Sequence, residues 1–107
     1  MVDAFKKLIG LGPSANYAQL VRDGALVLDV RTPSEFEQGH VPGAMNIPIE
    51  KLRDSMNQLA DKKATIIACC TDGAKSWYAK NLLDATGYNH VYNAGSWKKL
   101  NRKVQKQ

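Results

Sequence analysis

Cys70 stands where a sulfur nucleophile would be placed. It closes the apolar run Thr65-Ile66-Ile67-Ala68-Cys69 and opens the turn Thr71-Asp72-Gly73-Ala74-Lys75-Ser76, after which Trp77-Tyr78-Ala79-Lys80-Asn81-Leu82-Leu83 reads as a helix. A strand that passes through a short loop into a helix surrounds the head of the loop with backbone N–H groups and the positive end of the helix dipole. Sulfur held there is favoured as thiolate, whereas an ordinary thiol, with a pKa of about 8.5, is ionised to only a few per cent at neutral pH. A cysteine in an apolar run is more often buried and inert. Gly73 and Lys75 in the turn favour the reactive reading over that one.

The elements that must position Cys70 alternate along the chain. Asn16 with Gln19 three residues later starts a helix through Leu20 and Val21 that stops near Asp23-Gly24. Ala25 to Val30 is a nearly unbroken apolar run, interrupted by Asp29, of the kind buried on both faces of a sheet. Thr32-Pro33-Ser34-Glu35 is a helix start, with Thr as cap, Pro first and Glu third, and Gly39 ends that helix. Ala44 to Pro48 reads as a short strand, and Ile49, Leu52, Met56 and Leu59 then recur at helical spacing. Thr65 to Cys69 is the strand feeding the loop, Leu82 and Leu83 mark the next helix up to Gly87, and His90 to Tyr92 is a last strand. This order predicts an α/β fold with a mainly parallel central sheet flanked by helices, whose sites lie at the C-terminal strand ends. Met1 to Gly12, with Phe5, Leu8 and Ile9 beside Lys6 and Lys7, reads as a packing helix or a weak membrane-surface arm.

Composition narrows the class. A chain of 107 residues, 44% hydrophobic, suits one domain spanning 1–107, and no run reaches the ~18 apolar residues of a membrane span. Without a signal-like apolar stretch at the N-terminus, the expectation is a cytoplasmic protein with no stable membrane insertion, and a monomer. Two adjacent cysteines are no disulfide framework, and they share no ligand spacing with His40 or His90, so neither metal nor cofactor is expected. The net charge of +5 is supplied by Lys98, Lys99, Arg102, Lys103 and Lys106, since the first 97 residues carry ten charges of each sign. The basic balance therefore belongs to a tail, residues 98–107, and does not indicate nucleic-acid binding. That tail reads as solvated, although Trp97, Leu100 and Val104 share one helical stripe that could cover the domain or grip an acidic partner.

Cys70-x-x-Gly73-x-Lys75-Ser76 resembles the active-site loop of rhodanese domains, usually written C-x-x-G-x-R-S. Asp29-Val30-Arg31 through Glu35-Phe36 is similar to that family's D-V-R-x-x-x-E-F. Gly39-His40-Val41-Pro42-Gly43-Ala44-Met45-Asn46-Ile47-Pro48 is similar to its G-H-I-x-G-A-x-N-I-P. Gly87-Tyr88 and Val91-Tyr92-Asn93-Ala94-Gly95 match the closing pattern of small bacterial members, so the resemblance runs from about Ala25 to Leu100. It implies a rhodanese-like three-layer domain and a two-step sulfur transfer. Cys70 thiolate would take a sulfane sulfur from thiosulfate or a persulfide, hold it as a persulfide, and pass it to a thiol, cyanide or protein acceptor. The N–H groups of Thr71, Asp72, Gly73, Ala74, Lys75 and Ser76 would bind the anionic donor and the charged sulfur. Lys75 would add positive charge, and the Ser76 hydroxyl would either donate to the persulfide or cap the helix.

Counted from Cys69, the loop has the Cys-x5-Lys75 span of cysteine phosphatases, which use H-C-x5-R. Ala68 stands in place of the His, and Lys75 lacks the bidentate clamp of Arg. Counting from Cys70 places Gly73 correctly, leaving Cys69 as a strand residue packed behind the loop. Asp72 departs from the usual pattern. At about 6 Å a unit charge opposes an anion by roughly 3 kcal/mol at an effective dielectric near 20, which disfavours dianionic thiosulfate against a less charged persulfide. Trp77 and Tyr78 are expected in the core, with an exposed Trp77 the alternative. Arg31 is expected to pair with Asp29 or Glu35, and His40 to hold its turn by hydrogen bonds. Two classes stay open: a sulfurtransferase, or a sulfur-carrier or binding module of the same fold with little turnover.

Overall fold

A computed structural model describes residues 15–59 and 61–105. The N-terminal segment Met1 to Gly12, read above as a helix or arm, lies outside these, as does Lys106 of the basic tail. Four parallel strands form the sheet: β1 (Leu26–Asp29), β2 (Met45–Asn46), β3 (Thr65–Cys70) and β4 (His90–Ser96), in the order β2-β1-β3-β4. The helices are α1 (Tyr17–Arg22), α2 (Pro33–Gln38), α3 (Ile49–Leu52), α4 (Ala74–Ala85) and α5 (Trp97–Gln105). A 3-10 segment, Arg53–Leu59, follows α3, so the single helical stripe expected from Ile49 to Leu59 is divided. Tyr88 donates its hydroxyl to the Leu59 carbonyl at the end of that segment.

Period-two alternation along β3 sorts the core into two halves. Ile66, Ala68 and Cys70 face Leu28, Val30, Leu52, Leu59, Ala79 and Leu83, the side covered by α3, the 3-10 segment and α4. Ile67 and Cys69 face Val27, Val41, Leu100 and Val104, the side covered by α1 and α5. The expected three layers are therefore present. The adjacent cysteines point to opposite faces of the sheet.

The strands differ at their ends from the sequence reading. β3 extends through Cys70, which is its last residue rather than the first of the loop. β4 continues to Ser96 through Asn93 and Gly95, residues poor in strand propensity, because it absorbs a bulge. Ala68 pairs with Asn93 and Cys69 with Gly95, which leaves Ala94 as the extra residue. The basic tail is also corrected: from Trp97 to Gln105 it is a helix whose Leu100 and Val104 are buried, while Lys98, Lys99, Arg102 and Lys103 remain exposed. Its apolar stripe covers the domain because the α1 side of the sheet needs a second helix.

Arg31 ties the C-terminal strand ends together. Its Nε and Nη2 donate to both carboxylate oxygens of buried Asp29 at 2.7–3.1 Å, and its backbone N–H donates to the same side chain. Nη1 reaches the Glu35 carbonyl and Nη2 the Gly39 carbonyl, and the guanidinium lies 4.6 Å over the Trp97 ring. Glu35 does not pair with Arg31 through its carboxylate. It completes a capping box with Thr32 at the start of α2, accepting from the Thr32 N–H and hydroxyl. Those bonds to Thr32 hold the Glu35 carboxyl below its ordinary range, with Lys75 and Arg31 adding smaller favourable fields. Arg31→Met would leave Asp29 as a buried, uncompensated carboxylate. A loss of about 3–5 kcal/mol in urea unfolding is expected, with Arg31→Lys recovering little because it lacks the planar fork.

Candidate active site

The Cys70 sulfur lies at the C-terminal end of a central strand, 1% exposed, beneath the turn that starts α4. The Gly73 N–H donates to Sγ at 2.9 Å and the Ser76 N–H donates to it at 3.4 Å. Both donors favour a sulfur that carries negative charge. Gly73 makes the first bond through a left-handed backbone, φ +102°, that a side chain would strain. Its Cα side faces Gly95 on β4, with only van der Waals room between them. Gly95 also has a positive φ, +73°, next to the bulge. The turn is thus moulded against β4.

Each loop residue singled out from the sequence has a definite place. Thr71 and Asp72 are exposed at the tip. The Asp72 carboxylate accepts the Ala74 N–H at 3.0 Å, so Asp72 holds the start of α4 and occupies one of the amides expected for an anionic donor. Its exposure also weakens the opposition to anions inferred above toward the solvent-screened limit. Lys75 is exposed on the first turn of α4, where it lines a groove of about 470 Å³ with Ile49, Glu50, Arg53, Tyr78 and Leu82. The Ser76 hydroxyl lies 3.3 Å from Cys70 Sγ, 3.2 Å from the Gly73 carbonyl and 2.6 Å from Asn93 Oδ1. It therefore touches both the sulfur and the cap of the helix.

Trp77 and Tyr78 are not core residues. They are 62% and 50% exposed, because α4 turns Ser76, Ala79 and Leu83 toward the sheet. Sequence reasoning missed the parts played by Asn93 and Trp97. Asn93 lay within a matched motif without a role, and Trp97 packs on Gly39 and Arg31 where only a tail stripe was visible. His40 holds its turn as expected, its Nδ1 donating to the Phe36 carbonyl at 2.6 Å while the ring stacks on Phe36.

A Rhodanese-like domain family model matches residues 14–103. This chain belongs to that family. It is 39% identical over 74 residues to the thiosulfate sulfurtransferase PspE of Escherichia coli (strain K12), covering 68% of this chain and 71% of that protein. It is 35% identical over 81 residues to the thiosulfate sulfurtransferase GlpE of Ectopseudomonas mendocina (strain ymp), covering 75% of this chain and 73% of that one. Among solved structures, a rhodanese with anions from E. coli superposes with a TM-score of 0.65 at 39% identity, covering 69% of this chain and 89% of the other. Among the described residues no helix is long and apolar enough to cross a membrane.

The second cysteine of this rhodanese-like chain lies in a different environment. Cys69 is wholly buried on the α1/α5 face, and burial, with the nearby Asp29 charge adding to it, pushes its thiol up to about 12. The raised value means that the folded state resists ionisation of Cys69. Its contribution to stability is complete below the unfolded thiol range near pH 8.5 and is lost as pH rises through that range toward about 12. Cys69→Ala is expected to flatten the alkaline fall of stability across that window relative to the parent, as measured by urea unfolding at a series of pH values.

Proposed function

We propose that Cys70 is the nucleophile of a sulfurtransferase and the place where sulfur resides between two half-reactions. In the first, the Cys70 thiolate attacks the outer sulfur of thiosulfate or of a persulfide. The S–S bond of the donor breaks, and sulfite or a thiolate leaves with the electron pair. In the second, a thiolate or cyanide attacks the outer sulfur of the Cys70 persulfide, and the Cys70 thiolate is released. No general base is required once the sulfur is ionised. The observation that carries this reading is the pair of backbone donors, Gly73 and Ser76, aimed at a sulfur that ends a central strand. The chain's membership of the rhodanese-like family and the sulfurtransferase activity named for its relatives support the same reading.

The site chemistry favours some donors over others. The Ala74 amide is engaged by Asp72, and the Gly73 and Ser76 amides point to the cysteine itself. Fewer loop donors are then left for the oxygens of a dianion, so an organic persulfide suits the loop better than thiosulfate. Arg53 and Lys75, set against Glu50, leave the groove beside the loop one net positive charge, which suits a donor or acceptor bearing a carboxylate. A phosphatase reading gains nothing from the geometry, because Cys69 points away from the loop. A reducing, cytoplasmic setting fits two free cysteines, one of which has to be a thiol to work.

Exposure to thiosulfate or a low-molecular-weight persulfide should add about 32 Da to the intact mass, removable by a reductant. Cys70→Ser should abolish the gain and Cys69→Ser should retain it. Label found on Cys69 would overturn the assignment. Loading without multiple turnovers to cyanide would mark a sulfur carrier in place of an enzyme.

A further inference from the structure

The Ser76 hydroxyl has one proton and three neighbours that could accept it: Cys70 Sγ, Asn93 Oδ1 and the Gly73 carbonyl. The orientation of the Asn93 amide decides among them. Gly95 N–H donates to Asn93 Oδ1 at 3.0 Å, which identifies that atom as the oxygen, and an amide oxygen has no proton to give. The contact of 2.6 Å between Ser76 Oγ and Asn93 Oδ1 therefore contains the serine proton. The hydroxyl then turns lone pairs toward Cys70 Sγ, 3.3 Å away, where it can accept a proton from the thiol but offers none to a thiolate.

We propose that Asn93 is a positioning residue that controls Ser76. It holds the hydroxyl proton while Cys70 is protonated and yields it when the sulfur becomes anionic. The balance is simple: the S–H proton passes to solvent water, the Ser76 O–H rotates from Asn93 Oδ1 to the sulfur, and Oδ1 retains the Gly95 N–H. Asn93 thus opposes the Gly73 and Ser76 amides, which favour the charged sulfur whatever the hydroxyl does. The bulge at Ala94 and the left-handed Gly95 provide for this by carrying Asn93 under Ser76 while β4 stays paired to β3. The inference rests on Cys70 as the working sulfur, but it concerns the protonation of that sulfur and not its turnover.

The test is alkylation of Cys70 by iodoacetamide at one neutral pH, located by fragment mass, together with the ultraviolet absorbance of the thiolate. Removing Asn93 Oδ1 takes away the nearest acceptor, at 2.6 Å, and leaves the hydroxyl to divide between the Gly73 carbonyl at 3.2 Å and the sulfur at 3.3 Å, so that its donation to the sulfur increases. Asn93→Ala, and Asn93→Leu as a variant that keeps the volume, should raise both the thiolate absorbance and the alkylation rate, the latter by about 5-fold. A generally loosened loop would instead lose the amide donors and lower the thiolate signal. In a Ser76→Ala background the effect of Asn93→Ala should vanish, and Asn93→Asp, a stronger acceptor, should lower the rate. Three results would each overturn the proposal: a thiolate signal unchanged or lowered in Asn93→Ala and Asn93→Leu, an effect that persists without Ser76, or a rise in Asn93→Asp. Failure of Cys70 to take up sulfur while these signatures hold would count against the sulfurtransferase reading alone.

Discussion

Everything at the site depends on the hydrogen bond from Gly73 N–H to the Cys70 sulfur. A sulfur at the end of a parallel strand is shut off from most of the solvent that would otherwise stabilise its charge. Amide donors that need no reorganisation must take the place of that water, and only a sharp turn brings them round. The turn needs a residue with positive φ at position 73, and β4 needs another at position 95 beside its bulge. Gly73 and Gly95 meet those two needs together. The loop is consequently a joint product of β3, α4 and β4, although its residues are contiguous from Cys70 to Ser76.

A second constraint sits one strand away. The Asp29–Arg31 pair is buried, and the guanidinium also donates to the Glu35 and Gly39 carbonyls. Such a pair contributes little net stability against an apolar substitute, but it is costly to break on one side. Its value here is geometric: it fixes α2, the turn after it, and Trp97 at the head of α5 to the same C-terminal end of the sheet that presents Cys70. Asn46 adds to this by donating to the Asp29 and Arg31 carbonyls.

Much of this was legible in the chain because local signals and global packing agree. The capping box at Thr32 and Glu35, the apolar run before Cys70 and the helical residues after it each specify one state. Period two alone separates Cys69 from Cys70, so which sulfur faces α4 follows once β3 is recognised. What escaped was set by contacts distant in sequence. Asn93 meets Ser76 across 17 residues, and nothing local to either marks the pairing. The tail read as solvated because its charges are local, whereas the burial of Leu100 and Val104 depends on an uncovered sheet face. Trp77 and Tyr78 looked like core by residue type, and it is the orientation of α4 that exposes them.

The central claim is that the Gly73 and Ser76 amides hold the Cys70 sulfur through the reaction. It is tested most directly by following backbone amide resonances while sulfur is loaded onto Cys70 from a persulfide donor. The expected result is that the Gly73 and Ser76 amides shift more than those of the sheet and revert when a reductant strips the sulfur. Amides of Gly73 and Ser76 that stay unmoved while Cys70 gains the sulfur would contradict it.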